Sequence, residues 1–166
     1  MYMNNGKLVS KGRWSDDIAY ELYLTDELPP LELTSAVMCV ATVGDKVCMA
    51  RAKRGWGVLG GHIEPGESFE DTLLRELDEE AGYKPDSYKL FAVRKLLPTR
   101  PIPHQRKGEF YPYPVGYAVY YKATSQNTPT GHHEDDILES RLFSREELAT
   151  VETTDQEIID LGLACQ

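Results

Sequence analysis

The stretch from Gly60 to Gly82 constrains this chain more than any other. Gly60-Gly61-His62-Ile63-Glu64-Pro65-Gly66-Glu67 is a glycine-punctuated loop, and glycine admits backbone turns and close approaches that a side chain would block. Ser68 with Asp71 three residues later is the pair that caps a helix start reciprocally. Phe69, Leu73, Leu74 and Leu77 then recur at helical spacing, and Gly82 supplies a C-terminal cap. The pattern predicts a helix over residues 68–81, fed by a loop.

Packing does not account for the rest of that helix. Glu76, Glu79 and Glu80 are spaced i, i+3 and i+4, so at about 100° per residue they share one face. Like charges at this spacing cost about 0.2–0.5 kcal/mol per pair. Such a ridge is either a solvated face or a set of ligands that cations neutralise. Hard divalent ions take oxygen ligands, and magnesium uses one or two carboxylates together with substrate phosphates. Residues 64–80 carry eight acids against Arg75 alone, a poor surface for phosphate without metal.

Composition narrows the function classes. At 166 residues, 41% hydrophobic and 27% charged, residues 1–166 read as a single globular domain that needs no disulfides to hold a core. A net charge of −9 repels a phosphate backbone, so no stable nucleic acid complex is expected. No apolar run approaches the ~18 residues needed to span a bilayer, so no membrane partner is expected. Met1 to Ser10 lacks a secretory core, and a cytoplasmic location is expected. Cys39, Cys48 and Cys165 form no Cys-x-x-Cys pair and read as reduced, packed thiols.

Around the loop and helix, strands dominate. Residues 1–30 hold two N-terminal strands, at 7–13 and 17–24, closed by Pro29-Pro30. Ala36 to Val43 is apolar enough to be buried on both faces, Gly44-Asp45 makes a hairpin turn, and Lys46 to Lys53 returns. Tyr88 to Leu97 and Val115 to Ala123 read as strands divided by a proline-rich loop. Ser144 with Glu147, and Thr154 with Glu157, repeat the capping signature before two short terminal helices. The class is α/β, with a mixed sheet and helices packed on it.

Gly61, five residues, Glu67, seven residues, then Arg75-Glu76-Leu77-Asp78-Glu79-Glu80-Ala81-Gly82 resembles the Nudix hydrolase box, G-x5-E-x7-R-E-U-x-E-E-x-G-U, with every fixed letter present. Tyr83 departs from it, standing at a packing position where an aliphatic residue is usual. The resemblance covers residues 61–83 as a catalytic loop-helix-loop. It implies a Nudix-type α/β/α sandwich, with a mixed β-sheet between helices. It also implies a metal-dependent pyrophosphohydrolase. Carried over by position, the Gly60 carbonyl, Glu76, Glu79 and Glu80 would ligate magnesium (Mg2+) or manganese (Mn2+), Arg75 would orient a neighbouring glutamate, and Glu67 would complete the network. The implied substrate is a small nucleotide: either a nucleoside diphosphate linked to another moiety, such as ADP-ribose or a nucleotide sugar, or a nucleoside triphosphate, oxidised or not. Relatives of this size are often homodimers. The alternative is a catalytically silent nucleotide-binding or sensing module, whose usual signs, lost box glutamates or an attached DNA-binding domain, are not seen.

Residues outside the box must recognise the remainder of the substrate. Residues 94–107 carry Arg94, Lys95, Arg100, Arg106 and Lys107 with no acid and form the candidate anion-facing counterpart; Arg51, Lys53 and Arg54 make a smaller basic group. Trp56, Phe110, Tyr111 and Tyr113 are candidates for stacking on a base. Glu109, Glu134 and Glu139 are candidate general bases, beside Glu76 within the box. His132-His133 with Glu134-Asp135-Asp136 reads as a polar loop. Pro98 lies fifteen residues past the box, which resembles a proline of ADP-ribose hydrolases, whereas the S-Q-P-W-P-F signature of the NADH-cleaving branch is absent. Acidic charge argues against RNA decapping.

Overall fold

A computed structural model describes residues 5–165; Met1–Asn4, the start of the segment read as lacking a secretory core, and Gln166 lie outside them. The chain runs β1 (Lys7–Ser15), β2 (Ile18–Leu24), β3 (Thr34–Val43), β4 (Lys46–Ala52), β5 (Gly55–Gly57), β6 (Leu59–His62), α1 (Phe69–Ala81), β7 (Ser87–Pro98), β8 (Gly116–Ser125), β9 (Ile137–Phe143), α2 (Arg145–Leu148) and α3 (Gln156–Ala164). Strand order across the sheet is β1-β2-β7-β8-β3-β4-β5, with β6 also pairing with β3 and β9 with β4. β3 and β8 run parallel and the other pairs antiparallel, so the sheet is mixed. Among the described residues, no helix is long and apolar enough to cross a membrane.

The sheet is covered on both faces, as the α/β/α expectation requires. On one, Leu73, Leu77 and Ala81 of α1 pack against Val37, Cys39, Ala41, Leu59 and Val119. On the other, Ile158 and Ile159 of α3 and Leu148 of α2 pack against Val40, Met49, Phe91 and Tyr120. β3 contributes to both because its neighbours in sequence alternate between the faces. Burying an apolar side chain of this size contributes about 1.5–3 kcal/mol, so the apolar run Ala36 to Val43 fixes the centre of the sheet. Cys39 and Cys48 are buried free thiols within that packing. Tyr83 is 1% exposed and its hydroxyl donates to the Thr42 carbonyl at 2.7 Å, which makes an aromatic residue workable at this packing position.

Three local expectations are corrected, and one strand lies outside them. Gly60-Gly61 does not lie in a loop: Leu59–His62 forms β6, antiparallel to Ala36–Cys39. The absence of side chains permits it, because a Cβ on Gly60 would meet the Val37 carbonyl oxygen at 2.3 Å. Leu74 is not part of the apolar stripe and is 40% exposed; buried Thr72 stands beside Leu73 instead. The second capping signature is not formed either. Asp155, not Thr154, occupies the N-cap of α3, and its carboxylate accepts from the Val58 amide at 3.0 Å, tying the helix to the link between β5 and β6. Finally, β9 escapes the sequence pattern because exposed Leu138 interrupts its alternation.

Candidate active site

α1 forms where the capping pattern places it: Ser68 Oγ accepts from the Asp71 amide and the Asp71 carboxylate from the Ser68 amide, both at 3.0 Å. At its far end Gly82 adopts φ +60°, and its amide returns to the Asp78 carbonyl. The loop before β9 then closes over this end: the Gly131 amide donates to the Ala81 carbonyl at 3.0 Å and the Glu134 amide to the Glu79 carbonyl at 2.8 Å. α1 runs beside β6 so that Glu80 faces Gly60 and Arg75 faces His62.

Arg75 is the hub. Its Nε and Nη2 donate to the two oxygens of Glu67 at 2.7 and 2.9 Å, the bidentate geometry that suits a guanidinium to a carboxylate. Nη1 donates to Glu76 Oε1 at 2.8 Å and Glu79 Oε2 at 3.1 Å, and Nη2 also reaches the His62 carbonyl at 3.0 Å. These bonds hold the Glu67 carboxyl down at about 2, well below its ordinary range, chiefly through the Arg75 hydrogen bonds. Glu80 stands apart from the arginine. Its Oε1 accepts from the Gly60 amide at 2.6 Å, and burial pushes its carboxyl up to about 8. Burial also raises Glu76.

The donor chemistry fits a hard cation. Burial disfavours the charged forms of the Glu76 and Glu80 carboxyls, a cost that a bound divalent charge would offset. Gly61 makes room for one of them, since a Cβ there would lie 2.4 Å from Glu76 Oε1. Among the described residues, no three His, Cys, Asp or Glu side chains are grouped closely enough to hold a metal ion as they stand. Arg75 takes up the carboxylate oxygens, leaving Oε2 of Glu76, Oε1 of Glu79 and Oε2 of Glu80 outside these bonds.

The structure sorts the remaining candidates. Arg54 is near enough for its charge to lower Glu80, and Asp136 near enough to raise both Glu76 and Glu80. Asp136 was passed over in sequence because it sits in a run that reads as solvated; its position one residue before β9 is what carries it to the helix. Tyr111 closes on the box from the proline-rich loop, its hydroxyl 2.9 Å from His62 Nε2. Arg106 pairs with Glu109 at 2.7 Å and reaches the Ile63 carbonyl at 3.4 Å. A cavity of about 380 Å³ lies between this loop and the box, bordered by Glu67, His104, Arg106 and Phe110. Glu134 joins α1 through its backbone, whereas Glu139 is engaged with Arg51 at 3.0 Å. Trp56 packs edge-on against Phe143, with the Arg51 and Arg141 guanidinium groups over its ring.

Two basic candidates are placed elsewhere, Arg94 by the alternation along β7 and Arg100 by lying past its end. Arg94 stands on the sheet face opposite α1, buried over the ring of Tyr120. Arg100 is exposed at the end of β7 and pairs with Asp17 at 2.7 Å. The run 94–107 is therefore not one anion-facing surface.

The NUDIX domain family matches residues 32–161 of this chain. The chain belongs to the Nudix family. Among curated relatives, the NAD-capped RNA hydrolase NUDT12 of Homo sapiens is 28% identical over 114 residues, 66% of this chain and 21% of its own length. The NAD-capped RNA hydrolase NudC of Pseudomonas aeruginosa is 27% identical over 139 residues, 80% of this chain and 45% of its own length. This Nudix chain thus spans less than half of the curated relatives it matches. In fold it superimposes on a mutant of the Bacillus subtilis pyrophosphohydrolase BsRppH with a TM-score of 0.66, covering 93% of this chain and 94% of that one at 19% identity.

Proposed function

We propose that this Nudix chain is a metal-dependent pyrophosphohydrolase acting on a nucleotide-linked diphosphate. The carrying observation is the gathering of Glu67, Glu76 and Glu79 on Arg75 beside the buried Glu80. Gly60, Glu76, Glu79 and Glu80 would hold the cation, magnesium or manganese. When bound, such an ion neutralises the diphosphate, lowers the pKa of a water and stabilises the leaving oxygen. The chain's own residues set the geometry. Arg75 fixes the Glu76 and Glu79 carboxylates, Glu67 fixes Arg75, and the Gly60 amide fixes Glu80. Arg54 offers a cation to the substrate phosphates from the β4–β5 turn. Glu109, in its pair with Arg106, and Glu134 remain the candidate bases.

The curated relatives act on NAD-capped RNA, whose cap is itself a nucleotide-linked diphosphate. That supports the diphosphate-linked branch over the triphosphate branch, and it reopens the RNA class that net charge alone argued against. A magnesium-dependent hydrolysis panel tests the reading. It contains ADP-ribose, nucleotide sugars, NAD, an NAD-capped oligonucleotide and nucleoside triphosphates, with products identified by chromatography. Two monophosphate-ended products, lost in Glu79→Gln, are expected. Tight nucleotide binding without turnover of any substrate would instead favour the sensing module.

A further inference from the structure

On the sheet face opposite α1, an arginine and three aromatic rings form a cluster that the proposed hydrolysis does not use. Arg94 is 8% exposed, with its guanidinium carbon 4.6 Å from the Tyr20 ring centre and 5.2 Å from those of Trp14 and Tyr120. Its Nε has no hydrogen-bond partner, and burying an unsatisfied donor is unfavourable. Among the described residues the other buried side-chain polar atom in that condition is Ser10 Oγ. Ser10 stands opposite Leu22 and Leu22 opposite Arg94, so the two unsatisfied groups share a face. Gly12 shapes the cluster, since a Cβ there would lie 2.6 Å from the Tyr20 ring. Trp14, in contrast, is 52% exposed. An open indole beside buried donors is the combination that holds a flat polar ring, by stacking from one side and hydrogen bonds at the edge.

The position relative to the box matters as much. In the register Arg94 is opposite Ala118, Ala118 opposite Ala36, and Ala36 opposite His62. Three strand spacings, about 14 Å, therefore separate Arg94 from the strand that carries Gly60. Half-buried Met38 and buried Tyr120 lie on the intervening face. Directly opposed residues share a face, so His62 of the box stands on the face of Arg94 although α1 and its carboxylates lie on the other, and an extended nucleotide would pass His62 to bring its diphosphate round to the carboxylates.

We propose that Trp14, Tyr20 and Arg94 form the subsite for the base of the nucleotide whose diphosphate the box hydrolyses. The base stacks on the Trp14 indole, and Arg94 donates to an oxygen or nitrogen at its edge. This rests on the hydrolytic reading above and adds the means of selection. β1 and β2 lie outside residues 32–161, so Trp14 and Tyr20 come from outside the matched family domain and Arg94 from within it.

The test titrates the metal-free chain with AMP, GMP, CMP, UMP and base-free ribose 5-phosphate while following indole fluorescence, in the native sequence and in Trp14→Phe. At least one nucleotide should change the emission, ribose 5-phosphate should not, and the change should vanish in Trp14→Phe. No response to any nucleotide, or the same response in Trp14→Phe, overturns the proposal. On the substrate that is turned over, Trp14→Ala should raise KM about tenfold with kcat within about twofold. A fall in kcat at unchanged KM contradicts a base subsite. Arg94→Lys should flatten the preference among bases; if that buried substitution fails to fold, the exposed Trp14 variants still decide. Base-dependent quenching without hydrolysis would remove only the hydrolytic reading, and hydrolysis with a silent Trp14 only the subsite.

Discussion

Two arginines on opposite faces of one sheet are held in opposite ways. Arg75 spends its hydrogen bonds on Glu67, Glu76, Glu79 and the His62 carbonyl, and its charge is answered by carboxylates. Arg94 presents its flat guanidinium to Trp14, Tyr20 and Tyr120 and keeps an Nε without a partner. The first is satisfied and rigid, as a positioning group should be. The second is buried with bonding capacity left over, as a recognition group should be.

The contrast can be broken by substitution. Arg75→Ala should have the largest effect, because it leaves Glu67 and Glu76 partly buried without the cation that pairs with both. A loss of about 3 kcal/mol in denaturant unfolding is expected, with turnover falling at least about a hundredfold. Leu77→Ala should cost about 2–5 kcal/mol without a comparable loss of turnover per folded molecule, since its side chain is fully buried away from the carboxylates. If Leu77→Ala and Arg75→Ala lower turnover equally, the hub has no special role.

Smaller changes sharpen the picture. Gly61→Ala places a methyl against Glu76 and should lower turnover about tenfold while unfolding shifts by less than about 1 kcal/mol, because the far end of a side chain can give way. The smallest effect concerns pH. The Glu67 carboxyl sits at about 2 in the fold against an ordinary 4.5. Its bonds to Arg75 therefore contribute stability that is fully present above about pH 4.5 and is lost as pH falls toward about 2. Melting temperature followed from pH 7 to 3 should decline less in Glu67→Gln than in the native chain; identical slopes would refute the linkage.

The same pair of arginines explains what the sequence discloses. The carboxylate partners of Arg75 lie eight residues before it, one after it and four after it, so the helix and the loop just before it assemble them locally. The loop-helix-loop, the capped start of α1 and the central strand β3 were legible for that reason. The ring partners of Arg94 come from β1, β2 and β8, and only sheet order brings them together. Alternation along β7 likewise split a basic run that looks continuous in one dimension. Asp136 and Asp155 were hidden for a related cause: each acts across a loop whose path is set by tertiary contacts.

The most direct measurement is calorimetric titration of manganese into the native chain and into Glu80→Gln, with circular dichroism confirming that both are folded. Glu80 touches Gly60 rather than Arg75, so its removal leaves the arginine hub in place. Saturable binding in the native chain, weakened at least about tenfold in Glu80→Gln, is the result the carboxylate site predicts. Equal affinity in the two proteins, or no binding in either, would contradict it.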